Sequence, residues 1–196
     1  MFFLFQFLCR IWCRLQGWTY GLSVPPDVKK GIIIVAPHTS NWDFIYVMGG
    51  YHKINFRLRV FAKKTLFWWP LSIVMNRIGA IAVDRVKKEN WVDTTAQLFG
   101  KENFFLALAP EGTRSYAEYW RTGFYHIALA AKVPVLMATI DYKVKSAVIG
   151  PAYDLTGDME KDFEVFRDYF KNSNPKVTVN FNPEFSPRPR SKTTSK

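Results

Sequence analysis

Three short apolar runs, at residues 32–36, 80–83 and 104–109, each close on residues that carry chemistry. The first ends on Pro37-His38-Thr39-Ser40-Asn41-Trp42-Asp43, the second on Asp84-Arg85 and the third on Pro110-Glu111-Gly112-Thr113-Arg114-Ser115. Apolar runs of this length read as buried strands, and open α/β sheets bring ligands to the carboxyl ends of their strands. Taken singly, each end has a bland reading: a polar turn, a solvated strand end, an exposed turn with an internal ion pair. Together they are explained by one architecture and one site, built from His38, Asp43, Arg85, Glu111 and Arg114.

Within the first run, Ser40-Asn41-Trp42-Asp43 precedes the apolar stretch Phe44-Ile45-Tyr46-Val47-Met48. This reads as a helix start with a capping-box pattern. His38 then sits in the strand-to-helix turn, and Asp43 lies in the first helical turn, where an acid also complements the helix dipole. From there a carboxylate oxygen can reach back to one ring nitrogen of His38, set the tautomer and leave the other nitrogen free to take a proton.

The remaining chain alternates between strand and helix patterns. Strands are expected at 58–62, 80–83, 104–108, 133–140 and 144–149, with an edge strand at 177–181. Helices are expected at 65–77, interrupted by Pro70, and at 91–99, 123–131 and 159–170. Such alternation predicts a single α/β domain, a central mixed and largely parallel sheet flanked by helices. The 196 residues, 48% hydrophobic, suffice for one core and show no internal repeat. The expected organisation is an amphipathic helix in residues 1–20, a catalytic domain in 21–185 and a basic, disordered tail in 186–196.

The formal charge of +11 implies a polyanionic partner, either nucleic acid or an anionic membrane. Five basic residues and no acid fall between Lys53 and Lys64, which suits lipid headgroups as well as a solvated face. The amino terminus favours the membrane. It is rich in Phe, Leu, Trp and Cys, while Gln6, Arg10 and Arg14 recur every four residues and share one helical face. Charges inside the apolar stretch argue against both a secretory signal and a spanning helix. The pattern predicts a helix lying in the interface, with packing on the protein's own core as the alternative. The only cysteines, Cys9 and Cys13, fit neither a disulfide framework nor a zinc pattern, and read as small apolar residues in a reducing, cytosolic setting. His38, His52 and His126 lack metal-ligand spacing, so no metal is expected. Ser40 and Ser115 lack a nucleophile elbow.

His38-x4-Asp43, the 79–85 segment, Pro110-Glu111-Gly112-Thr113-Arg114 and Val133-Pro134-Val135-Leu136 resemble, in order and spacing, the four blocks of the glycerophospholipid acyltransferases, whose best-known branch acylates 1-acylglycerol 3-phosphate. The resemblance runs from about residue 32 to about residue 140. It implies that His38 deprotonates an acceptor hydroxyl that attacks an acyl thioester directly, and that Asp43 orients that histidine. It further implies that Arg85, Glu111, Gly112, Thr113 and Arg114 hold the acceptor's glycerol phosphate. The fourth block would shape the acyl-donor side, although Leu136-Met137-Ala138-Thr139 matches it loosely and Ala109 stands where an aromatic is frequent.

The implied protein is an O-acyltransferase with a lysophospholipid acceptor, an acyl-CoA or acyl-acyl carrier protein donor and no further cofactor. Its expected place is peripheral or monotopic on the cytoplasmic face of an anionic membrane, with no nucleic-acid partner. Glycerol 3-phosphate, another lysophospholipid or a lyso-aminolipid stays open as acceptor. The contrasting class is a non-catalytic basic module that binds lipid or nucleic acid and is indifferent to loss of His38.

Overall fold

The computed structural model describes residues 2–63, 65, 67–77, 79–83 and 91–189. In chain order the elements are α1 (Phe2–Leu15), β1 (Thr19–Gly21), β2 (Gly31–Val35), α2 (Trp42–Gly50), β3 (Leu58–Lys63), α3 (Leu71–Arg77), β4 (Ala80–Val83), α4 (Trp91–Lys101), β5 (Phe105–Leu108), β6 (Tyr119–Trp120), α5 (Gly123–Ala131), β7 (Val135–Asp141), β8 (Ser146–Tyr153), α6 (Met159–Phe170) and β9 (Ser186–Pro187). Seven strands form one sheet in the order β1-β8-β7-β2-β5-β3-β4, and β6 and β9 make a separate short pair. Every pairing in the large sheet is parallel except β7 with β8. The α/β class and the largely parallel sheet are as the alternating pattern predicts.

Side-chain alternation along β2 assigns the layers. Ile32 and Ile34 face a core built from Phe99 of α4, Phe124 and Ile127 of α5, and Phe163 and Phe166 of α6. Ile33 and Val35 face the opposite side, where α1, α2 and α3 supply Cys13, Tyr46, Met48 and Met75. The connections then locate the functional crevice. The chain leaves β2 toward β3 through α2, but leaves β5 toward β7 through α5, so adjacent strands send their crossovers in opposite directions and over opposite faces. That reversal is a topological switch point, where ligands enter open α/β sheets.

Several expectations need correction. The helix expected at 65–77 begins only after Pro70, because a proline fits the entry to a helix and breaks its interior. The edge strand expected at 177–181 is instead a 3-10 turn, Thr178–Asn180. Its backbone bonds are local, and Val177 N–H goes to a threonine hydroxyl rather than to a sheet edge. The tail expected to be disordered from residue 186 is paired at its start: Ser186 and Pro187 lie beside Tyr119 and Trp120, and Arg188 N–H donates to Trp120 O at 2.9 Å. The anchor is Phe185, fully buried and stacked on Trp120 at 3.5 Å between ring centroids. Residues 190–196 lie outside the described residues.

The helix α1 packs on α2, so the expected boundary after residue 20 falls inside β1, whose Tyr20 pairs with Ala147. Gly49 and Gly50 permit this crossing, since a Cβ on either would collide with Cys13 or Tyr20. Phe2, Cys9 and Cys13 are buried, and Phe5 stacks on Phe44. Phe3, Leu4, Phe7, Leu8, Ile11, Trp12 and Leu15 remain exposed, together with Arg10 and Arg14. No helix among the described residues is long and apolar enough to cross a membrane. The basic stretch 53–64 is partly neutralised from elsewhere: Arg57 and Arg59 both pair with Glu102, at 2.5 and 2.7 Å.

Candidate active site

Strand β2 ends at Val35, and the loop that follows carries His38 to the carboxyl edge of the sheet. The His38 Nδ1 atom lies 2.9 Å from Asp43 Oδ2, which also accepts from Ser40 N–H at 3.2 Å. The expected capping box is thus half realised. The acid reaches back as anticipated, but Ser40 Oγ accepts from Trp42 N–H and the residue before the helix, Asn41, makes no side-chain cap. The second carboxylate oxygen, Asp43 Oδ1, accepts from the Tyr142 hydroxyl at 2.5 Å. Asp43 is buried, with 3% of its side chain exposed, against 32% for His38. A carboxylate against Nδ1 favours the tautomer that carries its proton there, which leaves Nε2 with a lone pair.

The turn after β5 closes the other side. Both Glu111 carboxylate oxygens accept from the His38 main-chain N–H, at 3.2 and 2.9 Å. Glu111 therefore ties the loop after β5 to the loop after β2. Burial pushes its carboxyl up to about 7, against the pull of the His38 N–H bond. Gly112 turns the chain with φ of +67°, and the Arg121 side chain lies against its Cα, where a Cβ would collide with the guanidinium. Thr113 and Arg114 are exposed. Arg114 is held through its main chain, whose carbonyl accepts from Asn180 Nδ2 at 2.9 Å. Arg85 lies outside the described residues; β4, which leads toward it, ends at Val83. The fourth block forms the buried strand β7 beside β2.

The motifs of the sequence do not place Tyr142, Thr39 or residues 172–182 in the site. Tyr142 follows the last residue of β7, so the strand-end rule that selected His38 and Glu111 applies to it equally. Its backbone N–H donates to Asn174 O at 2.8 Å, and Asn174 Nδ2 donates to Asp141 Oδ2 at 2.8 Å. Burial alone would raise the Asp141 carboxyl, but bonds from Asn174, Val144 and Lys143 hold it below the usual carboxylate range. Val177 N–H donates to Thr39 Oγ1 at 3.2 Å, and Lys176 Nζ sits over the Trp42 and Tyr142 rings at 5.7 and 5.4 Å. This segment straps across the strand ends and touches the loops after β2, β5 and β7. Among the described residues no group of three or more His, Cys, Asp or Glu is placed to hold a metal ion.

Fold and site together define an α/β protein with a histidine–aspartate pair at the switch point of a largely parallel sheet. A protein-family model described as Acyltransferase matches residues 20–141, from within β1 to the last residue of β7, and the chain belongs to that family. Over 130 residues it is 28% identical to the 1-acyl-sn-glycerol-3-phosphate acyltransferase of Haemophilus influenzae, a stretch covering 60% of this chain and 53% of that protein. The matched stretch thus spans about half the length of that relative. The fold is similar to that in the crystal structure of the 1-acyl-sn-glycerophosphate acyltransferase PlsC from Thermotoga maritima. The TM-score is 0.60 at 15% identity, over 89% of this chain and 81% of the other.

Proposed function

We propose that the protein is a membrane-associated O-acyltransferase that moves an acyl chain from acyl-CoA or acyl-acyl carrier protein to 1-acylglycerol 3-phosphate, giving phosphatidic acid. The observation that carries this reading is the His38–Asp43 contact beside the Pro110–Arg114 turn. A chain hydroxyl is a poor nucleophile until a base takes its proton. In this reading His38 Nε2 accepts that proton while the acceptor oxygen attacks the thioester carbonyl carbon. The C–S bond then breaks, and the proton passes from the imidazolium to the departing thiolate. Asp43 stabilises the imidazolium and holds the ring. Arg114, joined by Arg85, offers planar donors to the acceptor phosphate; Gly112 and Thr113 shape the turn beside them. The activity that names the Haemophilus influenzae relative supports the choice of acceptor.

The membrane part of the proposal rests on α1. Its outward face is almost wholly apolar, and Arg10 and Arg14 flank it. Apolar burial at about 25 cal/mol per Å² makes that face the larger contribution, with each basic residue near an anionic leaflet adding ~1 kcal/mol.

The test is turnover by purified protein in lipid or detergent, with a panel of lyso-acceptors and both donor types. Fastest transfer to 1-acylglycerol 3-phosphate is expected. Lipid binding without turnover, unchanged by His38→Ala, would point to a binding module. Because Phe2, Cys9 and Cys13 are core residues, serine substitutions at Leu4, Phe7, Leu8 and Ile11 probe the membrane face without opening the interior. They should release the protein from anionic vesicles more completely than high salt does; retained tight binding overturns the membrane assignment.

A further inference from the structure

The Asp43 carboxylate is oriented by three donors. Oδ2 accepts from His38 and Ser40, both within the same loop, whereas Oδ1 has one donor among the described residues, the Tyr142 hydroxyl. Those first two bonds pull on one oxygen alone, and the Ser40 bond is the longer. A donor on Oδ1 anchors the other end of the carboxylate, so that rotation about its Cβ–Cγ bond is opposed from both sides and Oδ2 is kept facing the imidazole. Asp43 is buried, so water does not substitute readily at Oδ1.

Tyr142 is itself held for this task. Its ring meets Trp18 edge-on at 5.4 Å and Tyr46 at 5.3 Å, and its backbone N–H is bonded to Asn174 O at 2.8 Å. Burial, followed by the bond to Asp43, pushes the phenol well above the usual tyrosine range, so it stays protonated and donates throughout.

We infer that Tyr142 is a positioning residue for the transfer reaction: its hydroxyl locks the Asp43 carboxylate so that Oδ2 holds His38 in the tautomer and orientation needed to take the acceptor's proton. Tyr142 lies beyond the matched family segment, which ends at Asp141. The inference rests on the function proposed above, in which His38 is the base. Tyr142 loses no proton and touches no substrate; it acts through Asp43.

The test uses the full chain in detergent or lipid, comparing wild type with Tyr142→Phe and, as a packing control, Tyr46→Phe, which alters a neighbouring ring whose hydroxyl contacts Gln16 instead. Steady-state kinetics are measured alongside 15N-histidine NMR of the His38 Nδ1–H resonance, assigned with His52→Gln and His126→Gln. Tyr142→Phe should lower kcat about 10- to 100-fold, the loss expected for a hydrogen bond to a charged group. Both KM values should stay within about twofold, the difference that separates positioning from binding. The Nδ1–H resonance should broaden by exchange. Tyr46→Phe should retain kcat and the resonance. If Tyr142→Phe fails to fold, 3-fluorotyrosine at position 142, which keeps both ring and donor, should retain kcat and resonance, and Tyr142→His in the same assay should lose both.

A kcat for folded Tyr142→Phe within about twofold of wild type, or an unchanged Nδ1–H resonance, overturns the inference. So does an equal loss in Tyr46→Phe. If wild type turns over no acyl donor, the reaction assigned above is at fault, and the resonance alone then decides whether Tyr142 governs His38.

Discussion

Asp43 and Asp162 are both buried carboxylates in the first turn of a helix, and both accept from tyrosine hydroxyls, yet they serve opposite ends. Asp162 is surrounded by fixed donors: Tyr125 and Tyr153 hydroxyls at 2.7 Å each, and the Thr156 hydroxyl and N–H at 2.9 and 3.1 Å. Burial alone would raise its carboxyl, but Tyr125, Thr156 and Tyr153 outweigh this and hold it below the usual range. The result is a strut that fastens α6 to the end of β8. Asp43 has the same kind of shell with one substitution, an imidazole that is partly exposed. A single titratable donor that opens onto solvent turns a strut into a candidate relay.

Glu111 completes the comparison. It is buried like the others, but its only donor among the described residues is one amide, shared between its two oxygens, and it is pushed up to about 7. Burial raises all such groups; the number of donors decides whether that rise is reversed.

The largest expected contrast is between His38→Ala and Asp162→Ala. The first should lower turnover ~10²- to 10⁴-fold with little change in unfolding midpoint, since general-base assistance is lost and packing is kept. Asp43→Asn should be severe but leaky. Near-normal turnover in folded His38→Ala removes the relay from the comparison.

Asp162→Ala should do the reverse, lowering stability on the order of 3 kcal/mol because several buried donors lose their acceptor, while the folded fraction keeps its turnover. Denaturant titration beside single-point assays checks both halves. The folded carboxyl lies below its unfolded value, so its stabilisation is present above about pH 4 and is lost as pH falls through the folded value. Asp162→Asn should remove that part of the acid sensitivity.

Arg114→Ala separates the outward from the inward residue of one turn. It should weaken use of the phosphorylated acceptor by roughly 1.5–3 kcal/mol, seen first in acceptor KM. Arg85→Ala should behave alike. Equal damage with an acceptor lacking phosphate would tell against this role.

Glu111→Gln is read in the pH dependence of stability rather than in turnover. A folded value raised from 4.5 to about 7 means that protonated Glu111 stabilises the fold at low pH, and that this contribution is lost as pH rises through about 7. Wild type should therefore lose on the order of 3 kcal/mol across that window relative to Glu111→Gln, whose amide oxygen still accepts from His38. Parallel pH-stability curves would show that the buried acid does not titrate there.

Much of this was legible in the chain itself. Helices at 123–131 and 159–170 were expected and found at those bounds, and the His38–Asp43 contact spans only five residues of one loop. Periodicity and short-range hydrogen bonding are written locally, so sequence determines strands, helices and any contact that one turn can close. The inward aim of Glu111, the donor on Asp43 Oδ1 from 99 residues away, and the strap in place of an edge strand were decided by tertiary structure. Each depends on the order β7-β2-β5, which sets three distant strand ends side by side. That order follows from the global packing of two helical layers on one sheet, and no local stretch of sequence contains it.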